Sequence, residues 1–508
     1  MKFRKQTILL ILIILLATIL RIVKLNSVPV SAFGDELDVG YQAYSILETG
    51  KDYMGNFLPL HFKSLAEWRT PLYIYSAVPF VWLFGISTIS VRLPAAVFGI
   101  LSVWVIYLLA KRITGNDKIS LFSALLLAIS PWHLQYSRAG FEVTQSLFFY
   151  MIGIYFLLKG LKFGKWLPLS AICLGLTPWV YSTAKLFLPL TVLAILIIWK
   201  NDLLKVSKAY LIWAAIIFSI VTVPFAINTI FGGGSERIEG ISIFSDPKIS
   251  GQVGFGRLND MQTRGGDNQS VNIFDKLFHN PYIIYIDAFT DNYLHAFSTD
   301  FLFITGDILN PRQSSGTEFY KIEAIFLLMG LLFFLSSSID KKIKAFFIFW
   351  LVASPIPSAL TQGGGAHATR LILMLPILII LIAFGIYNSY LKINKKYQNL
   401  FIILVSTAFL LGFIFYQHNY WVHYPWQSER WWQSGYEQAI KLTVQKSSNY
   451  ERVIISSADE PSLKFFLGWS MYPPARFQDK YRLYLANKDP NTVLKLDQYE
   501  FPPVGQSL

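Results

Sequence analysis

One cysteine, Cys173, stands in 508 residues, and it falls inside an apolar run. No disulfide framework can form, so any part outside the cytoplasm must hold together without one. Charge is scarce too: 15% of residues are charged, against about 25% in ordinary soluble domains. The chain contains no Walker loop, no metal-spaced Cys/His cluster and no GxSxG. It also has no internal repeat, inverted repeats of the transporter kind included. Without a nucleotide motif, chemistry on an outer membrane face would need an activated donor that arrives on a lipid.

Apolar sequence fills the space: 54% of residues are hydrophobic and 16% aromatic. The pattern predicts an all-α polytopic membrane protein. Spans are expected at 6–25, 89–111, 118–135, 143–160, 166–180, 185–200, 208–230, 320–338, 343–360, 368–391 and 398–416, most of them near the roughly 17–25 residues a bilayer requires. Lys2-Phe3-Arg4-Lys5 before the first run resembles a signal sequence, but no small-residue cleavage site follows, so the first helix is read as retained.

The net charge of +13 comes from short basic runs between apolar segments, not from a basic face on a soluble fold, which argues against nucleic acid. These runs also set the topology. If the apolar stretch 71–86 lies against the outer surface without crossing, five clusters fall inside: those near Lys111-Arg112, Lys159-Lys162, Lys200-Lys205, Lys341-Lys342 and Lys395-Lys396. If it crosses, all five fall outside. The positive-inside rule selects about eleven spans with the N-terminus in and the C-terminus out.

The chain then divides into a membrane domain over 1–416 and an extracytoplasmic tail over 417–508. The outer face of the membrane domain carries the loop 26–88, with juxtamembrane helices, and the large loop 231–318. The tail alternates short apolar stretches with turn signals, has a helix expected at 428–446, and reads as a small α/β domain.

Unusual polar residues collect on that outer face. The first loop supplies Asp35, Glu36, Asp38, Lys63, Glu67 and Arg69, and the next turn His133, Arg138 and Glu142. Tyr181 and Lys185 follow, then Asp300, Asp307 and Arg312 in the large loop, then His367 and Arg370. Carboxylates and cations from several loops suit an anionic, phosphate-bearing ligand with acid–base work beside it. Each residue alone has a plainer reading: Asp35 as a helix cap, Arg138 and Glu142 as an i,i+4 pair, Lys185 as a snorkelling lysine. A transporter or flippase of a lipid-linked or anionic substrate is the rival reading. It calls for charges at span centres, and these are nearly charge-free.

Gly34-Asp35-Glu36 after the first span resembles the acidic motif of the GT-C glycosyltransferases. The likeness continues through Trp68-Arg69-Thr70-Pro71, Val91-Arg92-Leu93-Pro94, Ser130-Pro131 to Ser137-Arg138, Phe301 to Asp307, and His367-Ala368-Thr369-Arg370. The nearest groups are the protein O-mannosyltransferase-like (family 39) and aminoarabinose-transferase-like enzymes, and the likeness runs over about 5–416.

That resemblance implies a GT-C architecture and a polyprenyl-phosphate sugar donor in the bilayer. The acceptor would be an extracytoplasmic protein, lipid or envelope glycan, and the enzyme would sit in the cytoplasmic membrane. It implies Asp35 as catalytic base with Glu36 and Glu142 as acidic partners. Arg69, Arg138, Lys185, His367 and Arg370 would hold the donor phosphate, and Tyr181, Asp300 and Asp307 would touch sugar or acceptor. No obligatory cofactor is expected; Asp35 and Glu142 leave room for a shared divalent cation without requiring one.

Overall fold

The computed structural model describes residues 5–65, 67–232, 234, 236–265, 270–307, 316–456, 461–486 and 493–502. Helices dominate, and one or more of them covers each expected span. They are α1 (Lys5–Ile22), α2 (Gly34–Thr49), α3 (Pro71–Phe84), α4 (Thr88–Thr114), α5 (Asp117–Ile129), α6 (Pro131–Arg138), α7 (Val143–Gly160), α8 (Leu167–Val180) and α9 (Ala184–Ile198), followed by Lys208–Phe231, Glu323–Ser336, Lys341–Ala353, Leu375–Lys392 and Gln398–His418. Among the described residues, seven helical segments are long and apolar enough to cross a membrane; α3, α9 and Glu323–Ser336 are shorter apolar helices.

Local chemistry places the helix ends. Ser87 and Ser90 form a reciprocal capping box at the start of α4, and Asn116 caps α5. The expected span 118–135 is in fact two helices: Ser130 and Pro131 end α5 and start α6, because proline donates no backbone hydrogen bond. Gly50, at φ 68°, closes α2 in the left-handed region that glycine enters without strain.

Leu375–Lys392 runs through the centre of the bundle, buried along almost its whole length. Glu323–Ser336 crosses it at two glycines. A Cβ on Gly330 would lie 1.9 Å from the Leu381 carbonyl oxygen, and one on Gly385 would lie 2.0 Å from that of Phe326. Such small-residue crossings let membrane helices approach closely. Lys208–Phe231 and Gln398–His418 instead present Ile212, Trp213, Ile220, Leu404 and Phe415 outward, as lipid-facing helices do.

The large loop is more helical and more apolar on its surface than its Gly/Asn-rich sequence suggests. It forms Lys248–Thr263, Ile273–Phe278 and Pro281–His295, with Ile273, Phe274, Tyr282 and Ile286 exposed. The last bundle helix does not stop at 416 but continues through a π-helical turn, Asn419–His423, to Gln427. The tail then adds helices Tyr436–Lys446, Ser462–Ser470 and Pro474–Ala486, so the helix expected at 428–446 begins later. Its sheet orders β3 (Val453–Ile454), β5 (Tyr499–Phe501) and β4 (Leu494–Leu496), with β3–β5 parallel and β4–β5 antiparallel. The tail shares one hydrophobic core with α2 and α3.

Candidate active site

Three carboxylates leave the first two turns of α2, and helical spacing divides them. Asp35 and Asp38 are three apart and share a face; Glu36 points about 100° away. Arg69 gathers the first pair. It ends the second strand of a short hairpin, β1 (Phe62–Lys63) and β2 (Trp68–Arg69), in which Phe62 pairs with Arg69. Its Nη2 lies 2.7 Å from Asp35 Oδ1, its Nε 2.7 Å from Asp38 Oδ2, and its Nη2 3.3 Å from Glu67. The Tyr53 hydroxyl donates to Asp38 Oδ1 at 2.9 Å. Burial pushes the Asp38 carboxyl up, and Arg69 and Tyr53 oppose that push. Glu142, the residue before α7, adds its charge to the field at Arg69. Asp35 remains open, with 41% of its side chain exposed.

Glu36 has a different occupation. It is wholly buried, and both its oxygens accept from Arg92, at 2.8 and 2.9 Å, while Oε1 also takes the Gly140 N–H at 2.5 Å. Arg92 donates onward to the carbonyls of Leu25, Pro29 and Ser31 at 3.1, 2.8 and 2.6 Å. The pair ties α2, α4 and the chain that leaves α1 into one knot.

Arg138 departs from the expected phosphate clamp for a similar reason. It is buried, donates to the carbonyls of Leu20, Val23, Lys24 and Val28 and to the Tyr420 hydroxyl, and lies against the Trp421 ring. It caps the C-terminal end of α1, where carbonyls lack helical partners and a cation is favoured.

Lys185 lies where a lipid phosphate could be met. A cleft of about 710 Å³ runs between α8, α9 and Lys208–Phe231, lined by Pro178, Leu188, Pro189, Phe218, Phe225 and Ile230 among others, with Lys185 at one end. Leu193, Leu196 and Ile230 on its walls are exposed, so it opens sideways to the bilayer. At the Lys185 end stands His61, which sequence reasoning missed because a lone histidine in a long loop carries no motif. His61 Nε2 lies 3.2 Å from Lys185 Nζ, and its Nδ1 lies 2.6 Å from Asn228 Oδ1. The ring stacks on Phe225 at 4.6 Å. Burial and then the Lys185 charge push His61 down to about 4, so it is neutral at physiological pH. His61 immediately precedes the hairpin that ends in Arg69, and Thr70 beyond that hairpin donates to the Val180 carbonyl at the end of α8 at 2.6 Å. The nine residues from His61 to Arg69 thus join the head of the cleft to the Asp35–Asp38 pair.

The remaining candidates form a second cluster. Asp307 is buried; its Oδ2 accepts the Ala368 N–H at 2.9 Å and lies 3.9 Å from His367 Nδ1. Glu318, absent from the sequence reading, donates no motif either. Its Oε1 accepts the Asp307 N–H at 3.3 Å, and burial followed by the Asp307 charge pushes it far up. Arg370 donates to Thr361 Oγ1 and the Gln362 carbonyl, securing the 361–370 turn. Tyr181 is buried in the main core, while Asp300 is exposed and takes the Thr305 hydroxyl at 2.9 Å. Arg312 lies outside the described residues. Among the described residues, no group of three or more His, Cys, Asp or Glu is placed to hold a metal ion.

Residues 69–227 match a family model described as dolichyl-phosphate-mannose-protein mannosyltransferase. Over 181 residues the chain is 23% identical to undecaprenyl phosphate-alpha-4-amino-4-deoxy-L-arabinose arabinosyl transferase 1 of Pseudomonas fluorescens, covering 34% of this chain and 32% of that one. Two structures of the oligosaccharyltransferase of Archaeoglobus fulgidus superimpose on 92% of this chain and 63% of theirs, both at 13% identity. One, tethered to an acceptor peptide containing the NVT sequon, gives a TM-score of 0.55; the other, of AglB with an inhibitory peptide and a dolichol-phosphate, gives 0.54. The chain therefore spans about a third of the curated relative's length and under two thirds of the solved ones. Its fold is that of the GT-C glycosyltransferases.

Proposed function

We propose that this protein is a membrane glycosyltransferase that moves a sugar from a polyprenyl-phosphate donor to an acceptor on the extracytoplasmic face of the cytoplasmic membrane. The observation that carries the reading is the physical link described above. A lipid-facing apolar cleft ends at Lys185 and His61, and one short hairpin connects that end to a half-open carboxylate on Arg69.

The prenyl chain lies in the cleft and its phosphate meets Lys185. Neutral His61, with Nδ1–H directed at Asn228 Oδ1, accepts from the lysine through Nε2 and so holds its direction. Asp35 takes the proton of an acceptor hydroxyl or amine as that atom bonds to the anomeric carbon. The anomeric bond to phosphate breaks, and polyprenyl phosphate leaves with the electron pair, its charge met by Lys185. Arg69 keeps Asp35 aimed, with Glu142 completing the acidic side of the field. The reading includes no obligatory metal, because Arg69 already supplies the positive charge that Asp35 and Asp38 face. Protein, lipid and envelope glycan all present hydroxyls that this arrangement can activate.

General-base help contributes about 10²–10⁴-fold. Purified protein in vesicles with a panel of polyprenyl-phosphate sugars, with and without chelator, should transfer one of them. Asp35→Asn should then lose turnover at least about a hundredfold while staying folded and still binding donor. Near-wild-type transfer by Asp35→Asn would remove Asp35 from the chemistry.

A further inference from the structure

The C-terminal domain does more than pack beside the bundle. It grips α2 along its whole length. Gln433 Oε1 accepts the Gly34 N–H at 2.8 Å, and the Tyr41 hydroxyl donates to the Tyr472 carbonyl at 2.9 Å. Gln478 Nε2 donates to Ser45 Oγ, Thr49 Oγ1 and the Asp52 carbonyl at 3.1, 3.1 and 2.9 Å. Gly468 meets Leu37 so closely that a Cβ there would lie 3.1 Å from the leucine Cδ2. From the same helix, Ser462–Ser470, Lys464 reaches inward with 6% of its side chain exposed, and its Nζ stands 3.7 Å from Asp35 Oδ1.

A buried ammonium is costly unless an anion compensates it. At 3.7 Å the lysine is too far for a hydrogen bond, so it acts through its field and does not compete for the proton Asp35 must accept. Both Lys464 and Arg69 approach the same oxygen of Asp35, which fixes the orientation of the carboxylate plane. Among the described residues, Asp38 beside Asp35, and Glu67 and Glu142, which act on Arg69, also contribute charge to this field.

We propose that Lys464 is a positioning residue for transfer: its buried ammonium orients the Asp35 carboxylate, so the C-terminal domain forms part of the active site. The proposal rests on the reading of Asp35 as the base.

The test compares full-length wild type, Lys464→Met, Lys464→Arg and the docking control Gln478→Ala in the vesicle transfer assay between pH 4 and 8. An opposite charge within about 4–6 Å favours the ionised form of a carboxyl, and solvent weakens that effect at a group as exposed as Asp35. In Lys464→Met the acidic limb should move up by about one pH unit, which is about tenfold in turnover below the limb. The curves should converge at higher pH, and Lys464→Arg should restore the limb. Gln478→Ala should keep the wild-type limb even where its melting temperature falls, since it touches no group that faces Asp35. A wild-type limb in Lys464→Met overturns the proposal, and an inert Asp35→Asn in the same series would show that the base reading survives. An active Asp35→Asn overturns both.

Discussion

Glu36→Gln separates a structural carboxylate from a chemical one, because Glu36 is adjacent to Asp35 in sequence but points about 100° away from it on α2. The wild-type carboxylate neutralises Arg92 through contacts of 2.8 and 2.9 Å, and neither side chain has any exposure. Glutamine keeps the shape and one acceptor but removes the charge, which leaves a guanidinium buried without its anion. Breaking a buried pair in this way costs about 3–5 kcal/mol, and the retained acceptor argues for the lower figure. The carbonyls of Leu25, Pro29 and Ser31 still hold Arg92, so loosening should begin at the connection between α1 and α2. For a chain of this size that loss lowers the melting temperature by roughly 5 °C. The single cysteine gives a readout, since Cys173 is partly buried in α8 and its reaction with a fluorogenic thiol dye should speed up as the bundle opens. Turnover per folded molecule should stay near wild type. An unshifted melting curve together with lost turnover refutes the reasoning and returns Glu36 to the chemistry.

Two further outcomes follow from the cleft. Lys185→Met removes the cation at its head; charge-assisted hydrogen bonds are worth about 1.5–3 kcal/mol, so the KM for donor should rise about 10–100-fold, and an unchanged KM would place the phosphate elsewhere. His61 is held neutral down to about 4, whereas an unfolded histidine takes its proton near 6.5. The unfolded chain therefore binds more protons between those values, and stability from this group is full above 6.5 and is lost as pH falls toward 4. Melting at pH 7 and pH 5 should show that loss in wild type and a smaller one in His61→Gln; equal losses would contradict the assignment.

The bundle was legible because membrane helices write their length and lipid exposure into long apolar runs, and the caps at Ser87, Asn116 and Asp340 follow local rules. Asp35, Arg69 and Lys185 were legible as charged residues at the outer ends of those runs. The division of labour among charges was not. Glu36 and Arg138 look in sequence like Asp35 and Arg69, and only packing shows that the first two are spent inside on Arg92 and on the carbonyls ending α1. Lys464, 429 residues after Asp35, reaches the site through a domain contact that no spacing rule encodes. Glu318 and His61 were passed over because burial, not residue type, gives them their character.

The hairpin between His61 and Arg69 has two paired residues in each strand. Under the proposed reading, a donor seated at His61 and an acceptor seated at Asp35 therefore pull on the same strip of backbone. On that reading the two binding events would be coupled. Whatever factor the donor adds to acceptor affinity, the acceptor must return to the donor. Any such coupling runs through a segment whose far end, Arg69, holds the base itself.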